Sequence, residues 1–276
     1  MDVRYTVGRN EYRRMTTEEL RAAFLNTALC EAGKVKLMYC EVERGIAGFA
    51  VPTAAPLAMP AGKELASDSF CARRELGVLN VGGAGTVTCD GTAYALRPRE
   101  VLYVGRGTKE IVFASENAET PAVFYLVSYP AHRAFPTKLI RFEDANHRRC
   151  GTKEDCNLRT IHQFILPGRC DSCQLVMGYT ELEPGSNWNT MPAHTHERRT
   201  EIYMYFGIEP GQCVFHFMGS GDETRHLAVH DHDVVVSPMW SIHSGVGTKA
   251  YTFCWAMGGE NQEFDDMDGI AVETLR

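Results

Sequence analysis

The segment Pro192-Ala193-His194-Thr195-His196-Glu197-Arg198-Arg199-Thr200-Glu201 carries the residues best suited to chemistry in this 276-residue chain. Side chains at i and i+2 of an extended strand point to one face, so His194 and His196 project together. Glu201 follows past a polar turn, at the head of the run Glu201-Ile202-Tyr203-Met204-Tyr205-Phe206. A hairpin there returns its carboxylate to the two imidazoles. Neutral imidazoles with a carboxylate suit Zn, Mn, Fe, Co or Ni. A fourth ligand has to come from elsewhere in the chain, and His243 is the best candidate. It follows the apolar run Val234-Val235-Val236 and a turn at Pro238, which can bring it to a neighbouring strand. Tyr203 shares a strand face with Glu201 and is a candidate proton donor or substrate contact. His132, His147, His216, His226, His230 and His232 read as surface or satisfied core histidines.

The elements that must hold these residues are short strands. Thr16 and Glu19 make a capping box for a helix in which Leu20, Phe24 and Ala28 recur at helical spacing, with Gly33 as its stop. From Lys34 onward, apolar runs alternate with Gly, Pro, Asp and Asn. Thr86–Cys89 and Ala93–Leu96 flank Asp90-Gly91, a hairpin signal. Strands at this spacing predict an all-β chain of sandwiches or barrels. The expected organisation is an N-terminal helical segment over 1–33, a β-barrel over 34–140, a polar connector over 141–170 and a second barrel over 171–276. The first half has no HxH, so as a barrel it would not bind metal in the usual way; packing and oligomer contacts are its expected role.

Charge and composition narrow the function. A net charge of -7 argues against nucleic acid, whose phosphates need a surplus of Lys and Arg. The polar start MDVRYTVGRNEYRRM has no apolar signal core, and no apolar run approaches the roughly 18 residues of a membrane span. The expectation is a cytoplasmic protein with no membrane partner. Ten cysteines include a single CxxC, Cys170 and Cys173, with no second pair at zinc-ribbon spacing, so buried free thiols are expected.

Two longer patterns carry a resemblance. Pro184-Gly185…His194-x-His196-x4-Glu201-x5-Gly207 resembles the first cupin motif, and Asp233-x4-Pro238-x-Trp240-x2-His243 the second, with Trp240 where glycine is common. Thr160–Ile165, Trp188–Arg199, Met257–Gln262, Leu79–Gly83 and Leu102–Gly107 are similar to the bacterial 5-keto-4-deoxyuronate isomerase family, whose members are two-domain cupins. The resemblance covers most of the chain. It implies two cupin-type barrels, one zinc ion at His194, His196, Glu201 and His243, and a homohexamer. It also implies a ketol-isomerase acting on a small keto-uronate in pectin breakdown, through an enediolate or a hydride shift. Alternatives on the same scaffold are a related sugar-acid isomerase, such as 5-deoxy-glucuronate isomerase, or a metal-cupin oxygenase or decarboxylase. His162, Gln163 and Trp188 fall in the matching runs and are candidates to line the pocket. Arg159, Arg169, Arg198 and Arg199 are candidates to bind the substrate carboxylate.

Overall fold

A computed structural model describes residues 1–276 and shows a chain built almost wholly of strands, in two compact units. The first unit comprises Met1–Arg4, Ala28–Ala145 and Phe164–Val176; the second comprises Tyr5–Thr27, Asn146–Gln163 and Met177–Arg276. No helix is long and apolar enough to cross a membrane.

In the first unit a seven-stranded sheet runs in the order Asp2–Arg4, Val35–Cys40, Ile46–Ala50, Phe124–Pro130, Arg74–Asn80, Val101–Val104, Lys138–Ile140. A four-stranded sheet of Leu57–Ala58, Ile111–Ser115, Gly85–Cys89 and Thr92–Leu96 packs on it. Val87, Cys89, Ile111 and Phe113 from the small sheet meet Leu76, Val78, Leu102 and Phe124 from the large one in a single apolar core. The Asp90-Gly91 hairpin forms as the sequence predicts: both residues have positive φ, 47° and 80°, and Cys89 lies opposite Thr92.

The second unit repeats the plan. Its seven-stranded sheet runs Asn146–Cys150, Arg159–Ile165, Val176–Leu182, Thr252–Gly259, Arg199–Phe206, Val234–Ser237, Leu25–Asn26. Trp188–Asn189, Ser244–Gly247, Val214–Ser220 and Glu223–Val229 form the smaller sheet. The two sheets are tied across the interior by Tyr205 and His216, whose Oη and Nδ1 are 2.6 Å apart. In both units the barrel-like wall is a pair of open sheets rather than a closed ring of strands.

Two expected segments fold differently. The 141–170 stretch is not a bare connector, because Asn146–Cys150 and Arg159–Ile165 pair antiparallel at the edge of the second unit's large sheet. Its polarity hid the strands: an edge hairpin with one solvated face needs no apolar run. The N-terminal helix is only Thr17–Phe24. The capping box forms, with Thr16 N–H donating to Glu19 Oε2 at 2.7 Å, but Leu25–Asn26 leaves the helix to pair with Val234 and Val235. Tertiary pairing there overrides the helical spacing that extends to Ala28.

The segment before this helix braces the loop that carries His243. Tyr12 is fully buried, its ring is stacked on Trp240 at 4.8 Å, and its hydroxyl donates to the Glu223 carbonyl at 2.8 Å. Phe24 meets the same indole edge-on. Tyr12→Ala is expected to destabilise the protein by about 3 kcal/mol, from lost burial and the cavity left behind. A shift of the urea unfolding midpoint to lower denaturant checks this.

Candidate metal centre

Four buried side chains from three separate stretches of the second unit converge. His194 lies in the strand His194–Thr195, paired opposite Gly269 of Asp268–Gly269. His196 follows in the turn that leads into Arg199–Phe206. Glu201 sits on that strand, opposite Ser237 on one side and Met257 on the other. His243 ends the turn closed by Ser241 N–H donating to the Pro238 carbonyl, directly before Ser244–Gly247. None of the four is more than 7% exposed.

Their ligating atoms form a closed ring of contacts. His194 Nε2 is 3.1 Å from His196 Nε2 and 2.9 Å from His243 Nε2. Glu201 Oε2 is 3.2 Å from His196 Nε2 and 3.0 Å from His243 Nε2. No two of these atoms are more than 4.8 Å apart. Donors bound about 2.0–2.2 Å from a common ion stand roughly 2.8–3.6 Å from their neighbours, so the spacing and the donor types fit one transition-metal ion.

The surroundings set the protonation that such an ion requires. His196 Nδ1 is 2.7 Å from the Asp266 carbonyl, which can only accept, so that nitrogen carries the proton and Nε2 presents its lone pair to the cluster. His243 Nδ1 is 3.3 Å from Ser237 Oγ, and Ser237 is the cross-strand partner of Glu201. Burial, and then the neighbouring His243, push the His194 imidazolium down to about 2, leaving it neutral. Burial alone would raise Glu201, but His243 and His196 outweigh it and hold the carboxyl well below its usual range. Burial, with the charge of Glu201 beside it, raises the Tyr203 phenol well above its ordinary value, so Tyr203 keeps its proton.

Beside the cluster is a pocket of about 190 Å³. His194, His196, Glu201 and Tyr203 line it, with Thr180, Phe253, Trp255, Met257, Phe264 and Met267 forming much of the wall. Of the arginines predicted from sequence, only Arg159 reaches it. Arg198 is held by Asp266 and Asp268, and Arg169 belongs to the first unit. Arg199 is fully buried and donates to Asn261 Oδ1 and to the carbonyls of Glu263, Phe264 and Asp266. His162, Gln163 and Trp188 are not in the wall either. His162 packs on His147 and Tyr179, Gln163 accepts from Asn146, and Trp188 stacks on Phe217. The ten cysteines are all free.

Sequence reasoning missed Arg148, Phe264, Asp265 and Met267 in the pocket wall. The signal for Arg148 is strand register, which pairs it with Ile161; the other three are brought in by the chain that Arg199 ties down.

Two all-β units, one enclosing a three-histidine, one-glutamate cluster between its sheets, define a protein of the cupin class. The KduI/IolB family matches residues 25–273, and the chain belongs to that family. The 4-deoxy-L-threo-5-hexosulose-uronate ketol-isomerase of Lachnoclostridium phytofermentans is 49% identical over 276 residues, the whole of both chains. Among solved structures, an IolB-like protein from Salmonella typhimurium superposes with a TM-score of 0.73 at 18% identity, covering 90% of this chain and 96% of that one. Bacillus subtilis oxalate decarboxylase, described with Mn(II) centres, superposes with a TM-score of 0.56 at 11% identity over 81% of this chain and 71% of its own. At these identities the structural likeness shows the fold alone.

Arg199→Met removes four hydrogen bonds worth about 1 kcal/mol each. Amide exchange across residues 261–269 is expected to speed up at least about tenfold, read by hydrogen–deuterium exchange mass spectrometry.

Proposed function

We propose that this protein is a metal-dependent ketol-isomerase. It interconverts 4-deoxy-L-threo-5-hexosulose uronate and 3-deoxy-D-glycero-2,5-hexodiulosonate in the breakdown of pectin-derived uronates. The observation that carries this reading is full-length identity of 49% to a protein named for that activity, joined to a buried cluster suited to a metal ion. The proposed ion is zinc, one per chain, at His194, His196, Glu201 and His243. The proposed assembly is a homohexamer and the proposed compartment the cytoplasm; both rest on the family resemblance.

The reaction turns an aldehyde at C1 with a hydroxyl at C2 into a hydroxymethyl group beside a ketone. One hydrogen leaves C2 and one is delivered to C1, while the hydroxyl proton passes from O2 to O1, through an enediolate. His194, His196, Glu201 and His243 would hold a divalent ion, which would supply Lewis-acid acidification of the C2 hydrogen. His194, His196 and His243 would serve as imidazole ligands, and Glu201, committed to the cluster, is not a free base. Tyr203 keeps its proton at neutral pH and is placed to donate to the developing oxyanion. Phe253, Trp255, Met257 and Phe264 give the pocket an apolar wall that limits water at the reacting carbons.

The decisive assay offers the keto-uronate and 5-deoxy-glucuronate separately to zinc-loaded protein, with turnover of the first expected. Turnover of only the second would overturn the assignment. His196→Ala is expected to lose bound metal, measured by elemental analysis, and at least about a thousandfold in kcat/KM, while its circular dichroism stays native. Full activity in a metal-free His196→Ala preparation would contradict the metal role. Tyr203→Phe is expected to lower kcat about a hundredfold with metal content unchanged.

A further inference from the structure

The metal cluster occupies one part of the pocket; an edge hairpin forms another. Asn146–Cys150 and Arg159–Ile165 turn Arg148, Cys150, Arg159 and Ile161 toward it, with Cys150 opposite Arg159 and Arg148 opposite Ile161. The two arginines differ in their partners. Arg148 is half exposed and already paired with Asp265 at 2.9 Å. Arg159 has no carboxylate partner. Its Nη1 donates to the Asn157 carbonyl at 2.8 Å, and its Nε is buried without a hydrogen-bond partner. A partly buried guanidinium with unmet donors and no counter-charge is costly, and a ligand anion relieves that cost. Its planar fork matches a carboxylate.

The geometry points to Arg159 as the anchor for the substrate's carboxylate, and so as the residue that decides which end of the substrate meets the metal cluster. This inference rests on the isomerase reading, in which the carboxylate is C6 of a six-carbon chain and the reacting aldehyde is C1. The sheet order places the Arg159 strand three strands from the Glu201 strand, and the register sets Arg159 near the level of Phe206, five residues along from Glu201, about 20 Å between backbones at ordinary strand spacing. An arginine arm, a glutamate with its ion and an open six-carbon chain together fill such a span. The other arginines near the pocket are engaged: Arg148 by Asp265, Arg198 by Asp266 and Asp268, and Arg199 by Asn261 and backbone carbonyls. Arg159 therefore selects an acid over the equivalent neutral sugar.

The test compares zinc-loaded wild type with Arg159→Met on the uronate and on its C6 amide. KM for the uronate is expected to rise about ten- to a hundredfold, the loss of one charge-assisted contact, while KM for the amide is the same in both proteins. Arg159→Lys should recover part of the uronate affinity. A structural role would instead weaken both substrates equally. That result, or an unchanged KM for the uronate, overturns the inference.

Calorimetry with open-chain probes separates this inference from the function on which it rests. Wild type should bind D-gluconate more tightly than D-glucitol, and Arg159→Met should lose that preference. If wild type fails to turn over the uronate yet shows this Arg159-dependent preference, the proposed function fails and the anchor survives. If it turns over the uronate and neither KM nor the preference depends on Arg159, the anchor alone fails.

Discussion

A carboxylate taken out of water has to be met by hydrogen-bond donors or by a cation, and the way Glu201 is met differs from every other buried glutamate in the chain. Glu75 accepts from the Tyr103 hydroxyl and from the backbone N–H groups of Cys173, Gln174 and Leu175. Glu100 is paired with Arg97 and Arg141. Around Glu201 the nearest nitrogens are imidazole Nε2 atoms, and the one on His196 presents a lone pair because its Nδ1 proton is committed to the Asp266 carbonyl. Two acceptors 3.2 Å apart repel unless something positive lies between them. A proton relieves one such contact at a time. A metal ion relieves the whole ring, which is why the cluster accounts for more of its surroundings as a metal site than as a hydrogen-bonded core.

The rest of the second unit holds that ring closed. The register that sets Glu201 opposite Ser237 also places the hydroxyl beside His243. The carbonyl that orients His196 belongs to a stretch with little regular structure, and buried Arg199 supplies the donors that keep it in place. On the far side, Tyr12 and Phe24 pack against Trp240 in the turn leading to His243. Trp240 departs from the common cupin pattern, and its packing gives a physical reason: the N-terminal segment needs an aromatic surface to dock on. Both terminal segments of the second unit thus act on the site, although neither contributes a ligand.

The two units share a strand plan but use their interiors differently. In the first, the space between the sheets is filled by aliphatic and aromatic side chains. In the second, histidines and tyrosines enter the equivalent space: Tyr205 Oη lies 2.6 Å from His216 Nδ1, and the Tyr203 ring packs edge-on against His216 and His243. The pocket beside the cluster is bounded by cluster residues on one side and an apolar wall on another. This agrees with membership of the KduI/IolB family and with an isomerase that acts on the small products of uronate breakdown.

Much of this was legible in the residues alone. Alternation and turn chemistry marked several strands to within a residue or two, because those signals act between neighbours: Asp90-Gly91 forms the hairpin its residue types demand. The spacing of His194 and His196 implied a shared side, since strand geometry is local, but the expected hairpin onto Glu201 does not form: His194–Thr195 pairs with Asp268–Gly269, and Arg199–Phe206 pairs with Val234–Ser237 and Thr252–Gly259. His243 lies 42 positions beyond Glu201, and only tertiary structure brings it to the other three. Nothing local could reveal that a polar stretch at 146–163 forms an edge hairpin, that the helix stops at Phe24 to join a sheet, or that Asp266 orients His196 from 70 positions away. Nor could spacing tell which arginine is free to meet an anion, because Arg198 and Arg199 are engaged by chain far beyond them while Arg159 is not. Residue types and short-range geometry determined the donor set; long-range pairing alone decided how it is oriented, enclosed and matched to a ligand.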